Sequence, residues 1–193
     1  MVTAVTDLHG AHVAELLLGV LKRSRCGDDG KGQARGRPLE DARAAFHSMG
    51  GTRCVFERRI NLRMALSVVL ARDSDGRAAL WSVVENRHKD GMLDQSIVPA
   101  RVPGTLAAQA KKAARIIADA LAYLGVRWVE FCVDEDGARL VNEFAPRPHN
   151  NGHGTLDASR TAAFEQQVRM LAGRPLGNTT LRSPVVMQNL LGD

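Results

Sequence analysis

Apolar positions recur at three- and four-residue intervals in four stretches of the chain, and in short dense runs between them. Leu8, Ala11, Ala14, Leu17 and Leu18 line one side of a helix over 7–18, with Asp7 at its N-cap and Gly19 at its end. A second helix is predicted from Pro38 to Met49. Proline suits a first turn, where its missing N–H would have no partner anyway, and Gly50-Gly51 stops the helix. The most regular pattern runs from Leu106 to Leu124, with Leu106, Ala110, Ala113, Ala114, Ile117, Leu121 and Leu124 on one stripe and Gly125 as the stop. A last helix covers about 160–171. The runs at Val20–Lys22, Cys54–Glu57 and Met92–Pro99 read as strands. So do two hairpins: Leu62–Ala71 with Ala78–Glu85 about the turn Asp73-Ser74-Asp75-Gly76, and Arg127–Val133 with Arg139–Phe144 about Asp134-Glu135-Asp136-Gly137. Residues 26–36, 86–91 and 146–155 are left as loops. Adjacent strands joined by tight turns make the sheet antiparallel, so the fold class is α+β and not a doubly wound parallel sheet. The division expected is a small lobe within 1–58 and a larger sheet domain over 59–193.

Composition narrows the function classes. A chain of 193 residues with 45% hydrophobic and 24% charged residues can bury a core as one domain or two small lobes. Its formal charge of +5 favours anionic partners. Yet the basic residues are dispersed and aromatics are few, with no arginine-rich arm or base-stacking motif, so small phosphorylated ligands are expected rather than nucleic acid. The apolar runs are too short to span a bilayer, and the first twenty residues do not read as a signal peptide. Cys26, Cys54 and Cys132 are odd in number and lack CxxC spacing, which argues against zinc or a disulfide framework and for reduced thiols in a cytoplasmic protein.

Four segments carry candidate chemistry. Glu130 and Glu143 flank the 134–137 turn. With Val133 opposite Ala138, Glu130 faces Val141 and Glu143 is its diagonal neighbour on one sheet face. The two carboxylates then either meet on a cation such as Mg²⁺ or form a solvated strand face. Asn142 lies beside Glu143 and joins the pair only if the strand bulges. Val129, Phe131, Val133, Leu140 and Phe144 are expected to bury on the opposite face. The run Gly27-Asp28-Asp29-Gly30-Lys31-Gly32-Gln33 follows a strand containing Lys22. It is either a glycine-rich surface turn or a cradle of backbone N–H groups and lysine charge for phosphate, without P-loop spacing. The loops Asn86–Gly91 and Pro146–His153 hold His88, Arg147, His149 and His153. Arg147 offers a planar fork for carboxylate or phosphate, and the histidines are of a type that titrates near neutrality.

The run Asn142-Glu143-Phe144-Ala145-Pro146-Arg147-Pro148-His149-Asn150, followed by Gly152-His153, resembles the signature of the 5-(carboxyamino)imidazole ribonucleotide synthases, a family of ATP-grasp ligases. Leu21-Lys22, Asp29–Gln33, Ser67–Arg72, Glu85-Asn86 with His88 and Asp90-Gly91, Glu130-Phe131, and Pro184–Asp193 agree in order and spacing, so the resemblance covers nearly the whole chain. It implies an ATP-grasp fold, with a lid lobe in 1–58 and the sheet domain in 59–193. It also implies ATP- and Mg²⁺-dependent joining of bicarbonate to the amine of aminoimidazole ribonucleotide through carboxyphosphate, in purine synthesis. By the same resemblance Lys22, Asp29, Gly30, Lys31, Gly32 and Gln33 hold the ATP phosphates, and Glu57 to Ile60 lie beside adenine. His88 is near the nucleotide, Asn142 assists the cofactor site, Glu130 and Glu143 ligate Mg²⁺, and Arg147, His149 and Asn150 face carboxyphosphate. A homodimer is the implied assembly. The chain departs from the family at Ala65, where a ribose-binding Glu is usual, at Arg59 and Asp28, and at Ala34 and Gly154, where aromatics are common, while Gln167 replaces His. It is also expected to begin after the family's N-terminal domain and to stop before its C-terminal segment, which makes a non-enzymatic remnant with weak nucleotide binding the alternative.

Overall fold

A computed structural model describes residues 2–5, 19–23, 33–35, 39–58, 60–89 and 91–190. The chain divides into two compact units, Met1–Asn61 and Leu62–Asp193. The first contains β1 (Val2–Val5), β2 (Gly19–Arg23), β3 (Gln33–Arg35), α1 (Leu39–Ser48) and β4 (Cys54–Arg58). Its antiparallel sheet has the order β1-β4-β2-β3. Leu21, Phe46, Met49, Cys54 and Phe56 are buried there. Helix α1 ends as predicted at Gly50 and Gly51, both with positive φ. The helix expected over 7–18 and residues 26–32 and 36 of the glycine-rich loop lie outside the described residues. Gln33–Arg35, expected as loop, is a strand paired with Val20–Lys22. Its sequence has no apolar alternation, and the ladder to β2 rather than its own pattern makes it a strand.

The second unit is built on a seven-stranded antiparallel sheet. It comprises β5 (Leu62–Arg72), β6 (Ala78–Leu80), β7 (Val84–Lys89), β8 (Met92–Val98), β9 (Gly125–Asp134), β10 (Arg139–Ala145) and β11 (Val185–Gln188). The order is β10-β9-β5-β7-β8-β11, with β6 paired to β5 beside that path. Helix α2 (Gly104–Ala120) covers one face, where Leu66, Val68, Leu70, Val129, Phe131 and Val133 pack with Ala110, Ala114 and Ala118. On the other face Val69, Ala71, Val126, Trp128 and Ala145 pack with Trp81 and with Ala163 of α4 (Ala163–Leu171). Between β10 and α4 lie a 3-10 turn, Asn150–Gly152, and the short α3 (Thr155–Ala158). No helix among the described residues is long and apolar enough to cross a membrane.

Several expectations are corrected. The strand predicted over 78–85 is two strands, because the chain leaves the ladder at Trp81, whose indole is buried and donates to the Thr161 carbonyl at 2.9 Å. Asn86–Lys89, expected as loop, extends β7. Helix α2 ends at Ala120, not Leu124. Ala122 takes φ 45° and Gly125 takes φ 121° as the first residue of β9, so Leu121 and Leu124 are exposed rather than on the core stripe. Leu140 and Phe144 are also exposed, since β10 is an edge strand and the register puts Leu140 opposite Cys132.

One buried group has a measurable cost. Arg127 is 0% exposed, and its three guanidinium nitrogens have no hydrogen-bond partner among the described residues. Its guanidinium stacks 4.1 Å from the centre of the Tyr123 ring, and burial lowers its pKa. A cation–π contact offsets only part of the cost of an unpaired buried charge. Arg127→Met keeps most of the volume and should stabilise the protein by about 1–3 kcal/mol. That is a rise of several degrees in melting temperature by differential scanning calorimetry. A lower melting temperature would show that the guanidinium has a partner.

Candidate functional site

The carboxylate pair sits where one sheet face changes from apolar to polar. Along β9, Trp128 is followed on that face by Glu130; along β5, Val69 is preceded by Ser67, which lies opposite Glu130. The 134–137 turn closes with Ala138 N–H to Asp134 Oδ1 at 2.7 Å and Gly137 at φ 82°. Val133 therefore faces Arg139, not Ala138. The register then shifts between Val141 and Glu143, so Asn142 is bulged and Glu143 lies directly opposite Glu130. The expected diagonal relation, with Glu130 facing Val141, is thus corrected: Val141 faces Phe131. Facing residues of an antiparallel pair share a face, and like charges so placed repel. A bulge is a common device for re-aiming a side chain.

From Glu130 a hydrogen-bonded relay crosses the sheet. Asn151 in the 3-10 turn donates from Nδ2 to Glu130 Oε1 at 2.7 Å and to Ser67 Oγ at 2.8 Å. Asn86 Nδ2 donates to the same Ser67 Oγ, and the Ser96 hydroxyl donates to Asn86 Oδ1 at 2.9 Å. All four of these residues are buried. His149 Nδ1 stands 3.1 Å from Asn151 Oδ1 and 4.0 Å from Glu130 Oε1. The turn is fixed by Gly152, which lies against the Trp128 indole, and by Thr155, whose Oγ1 donates to the Gly152 carbonyl at 2.6 Å and accepts from Ala163 N–H. Asn151, Ser67 and Ser96 were not singled out in the sequence as site residues. The doubled Asn150-Asn151 is a signal, but only the turn decides which amide points inward. Asn150 is exposed.

The remaining candidates are taken unit by unit. Arg147 is exposed, its Nη1 3.3 Å from the Pro148 carbonyl. His153 is exposed and contacts the Phe164 ring. His88 is exposed on β7 beside a register shift. Glu85 is buried. Arg101 meets it with its backbone N–H at 3.2 Å, with Nε at 2.9 Å and with Nη2, and these bonds hold the carboxyl below its usual pKa. That stabilisation is present above the unfolded carboxylate pKa and is lost as pH falls through the lowered folded value. In the first unit, Lys22 and Glu57 form an ion pair at 2.7 Å across β2 and β4. Ile60 is half-buried, and Gln33 stands opposite Lys22 in the ladder. Asp29, Gly30, Lys31 and Gly32 lie outside the described residues.

Facing carboxylates suit a hard, oxygen-seeking cation. Among the described residues no group of three or more His, Cys, Asp and Glu gathers as a metal cage. Mg²⁺ needs none, because it is typically held by one or two carboxylates together with substrate phosphates and water. The donor set fits that ion.

A description of the ATP-grasp domain matches residues 5–164, and the chain belongs to the ATP-grasp family. Within that family it is 45% identical over 177 residues to the N5-carboxyaminoimidazole ribonucleotide synthase of Brucella melitensis, covering 91% of this chain and 49% of that protein. It is 45% identical over 185 residues to the synthase of the same name from Bacillus subtilis, covering 94% and 48%. The crystal structure of the ADP complex of an N5-carboxyaminoimidazole ribonucleotide synthetase superposes with a TM-score of 0.92 at 37% identity, covering 99% of this chain and 52% of that one. The ADP complex of the Staphylococcus aureus synthetase gives 0.89 at 30% identity, covering 98% and 52%. The chain spans about half the length of the curated relatives it matches. The α+β ATP-grasp fold expected from the sequence is the fold found.

Proposed function

We propose that these residues bind ATP with Mg²⁺ and serve the carboxylation of 5-aminoimidazole ribonucleotide by bicarbonate in purine synthesis, in the cytoplasm. The observation that carries this reading is the facing pair Glu130 and Glu143, with His149 and Asn151 at the same end of the sheet. The similarity to synthases of that name supports it. In this reading a bicarbonate oxygen attacks the γ-phosphorus of ATP, ADP leaves, and carboxyphosphate forms. The amine nitrogen of the ribonucleotide then bonds to the carboxyl carbon as phosphate departs, and the phosphate carries away the proton that the amine loses. Glu130 and Glu143 would hold Mg²⁺, which when bound neutralises charge on the phosphate oxygens. Arg147, His149 and Asn150 would face carboxyphosphate, with the Arg147 fork stabilising transferred charge. Lys22 and the 29–33 loop would bind phosphates, Glu57–Ile60 the adenine, and His88 and Asn142 the nucleotide side of the site. The assembly proposed is a homodimer. Calorimetric titration of ATP and ADP with and without Mg²⁺ tests the reading: Mg²⁺-dependent binding is expected, and no binding with either nucleotide would overturn it.

A second reading, a remnant that retains only weak nucleotide binding, is favoured by Ala65. This residue lies opposite Asn86 and Cys132, in line with Ser67 on the polar face, and offers no hydrogen-bonding group there. Ala65→Glu should tighten ATP binding if a ribose hydroxyl lies within reach. A charge-assisted bond contributes about 1.5–3 kcal/mol, roughly ten- to a hundredfold in dissociation constant. Unchanged affinity by titration would place the ribose elsewhere.

A further inference from the structure

The amide of Asn151 has two N–H groups, and both are used: one on Ser67 Oγ and one on Glu130 Oε1. Its orientation is fixed, because a flipped amide would set Oδ1 against a carboxylate oxygen. The oxygen is left for His149 Nδ1 at 3.1 Å. That contact is a hydrogen bond only if the proton sits on Nδ1. Glu130 Oε1, 4.0 Å from the same nitrogen, favours the same placement. We propose that Asn151 is a positioning residue that couples Glu130 to His149, holding the carboxylate on the sheet face and fixing the imidazole as its Nδ1–H tautomer, with Nε2 left as the bare acceptor.

The anchor for this arrangement is Ser67, which is 0% exposed and accepts from Asn86 as well as Asn151, while Asn86 is held in turn by Ser96. Asn151 itself is 2% exposed. A buried amide with every donor and acceptor used cannot rotate without leaving a buried polar group unpaired, at a cost of about 1–3 kcal/mol. The consequence for chemistry rests on the proposed function. An Nε2 lone pair can take a proton or accept a hydrogen bond from a reacting group, whereas an Nε2–H can only donate. The relay would thus set what His149 can do at the carboxylation site and where Glu130 can meet a cation, in the way that partners behind metal ligands orient them.

Histidine ¹⁵N labelling and long-range ¹H–¹⁵N correlation at pH about 8.5, above the ordinary imidazole range, reads the tautomer directly. The His149 signals are assigned by their loss in His149→Gln. A pyrrole-type Nδ1 and a pyridine-type Nε2 are expected in the unaltered protein. Asn151→Ala should move His149 toward the Nε2–H form and raise the Mg²⁺ concentration needed for half-maximal nucleotide binding by about tenfold or more. An Nε2–H tautomer in the unaltered protein overturns the proposal, whether or not the variant folds. So does an unchanged tautomer in a folded Asn151→Ala. If Asn151→Ala does not fold, Ser67→Ala removes the anchor alone and should give the same shift in weaker form; no shift in it overturns the proposal. An Nδ1–H tautomer that depends on Asn151, in a protein that binds no nucleotide, would sustain the coupling and sink the proposed function instead.

Discussion

Glu130→Gln is expected to weaken Mg²⁺-dependent nucleotide binding by about a hundredfold or more while leaving the fold slightly more stable. Gln keeps the length of the side chain and a carbonyl oxygen that can still accept from Asn151 Nδ2, so the relay to Ser67 survives. What it loses is one formal charge and an anionic oxygen. Mg²⁺ dehydrates reluctantly and relies on one or two carboxylates, so a neutral amide is a poor replacement. Without the ion, Glu130 and Glu143 face each other across β9 and β10 as like charges. Removing one should relieve about 0.2–1 kcal/mol of repulsion. Opposite signs for binding and stability separate a metal ligand from a structural residue. Calorimetric titration of ADP at fixed Mg²⁺ and a thermal melt measure the two, and Glu143→Gln should repeat the loss of binding. A variant that binds Mg²⁺ and ADP like the unaltered protein would end the assignment of Glu130 as a ligand.

How far the sequence exposed this site depended on what kind of information each part needs. Elements with their own pattern were legible: α1 with its glycine stop, the hairpin of β9 and β10, and the start of α2. Shared parity correctly placed Glu130 and Glu143 on one face, but by a register that the structure replaces. The hairpin takes a three-residue loop with Gly137 in the left-handed region, and then the bulge at Asn142 adds a further step. Two one-residue departures preserve the face and change a diagonal pair into a facing one. Neither follows from alternation, which is blind to an inserted residue. The relay was hidden for another reason. Ser67, Asn86, Ser96 and Asn151 come from four separate segments and meet only through strand order β9-β5-β7-β8 and the 3-10 turn. Resemblance to a family supplied His149 and Arg147 where composition and spacing alone left an ordinary turn as the alternative. It pointed to Asn150, and the inward-facing amide of its neighbour Asn151 became visible only with the turn.

The turn that makes that choice leads to the largest effect expected on stability, that of Gly152→Ala. A Cβ built at Gly152 would lie 1.8 Å from Trp128 Cζ2 and 2.8 Å from Cε2 and Cη2. Carbon atoms in contact sit about 3.5–4.0 Å apart, so something must move by an ångström or more. The indole cannot yield cheaply, since Trp128 is 0% exposed and packs with Val69, Trp81, Val126 and Ala163. The turn cannot yield cheaply either. Gly152 N–H is bonded to the His149 carbonyl at 3.0 Å, and its own carbonyl accepts from Thr155. Overpacking of this kind costs about 1–3 kcal/mol and occasionally more. With both sides held we expect about 3 kcal/mol, a fall of roughly 6–12 °C in melting temperature. Any relief by backbone shift displaces Asn151, the residue next to Gly152, and so withdraws its amide from Glu130 and His149. The molecules that remain folded should then also lose Mg²⁺-dependent nucleotide binding. Trp128→Leu makes room at its own cavity cost, so the pair Gly152→Ala and Trp128→Leu should be less destabilising than the sum of the two by at least about 1 kcal/mol. Additive melts, or a Gly152→Ala protein that melts with the unaltered one, would show that the turn does not rest on the indole and that something else holds Asn151 against Glu130.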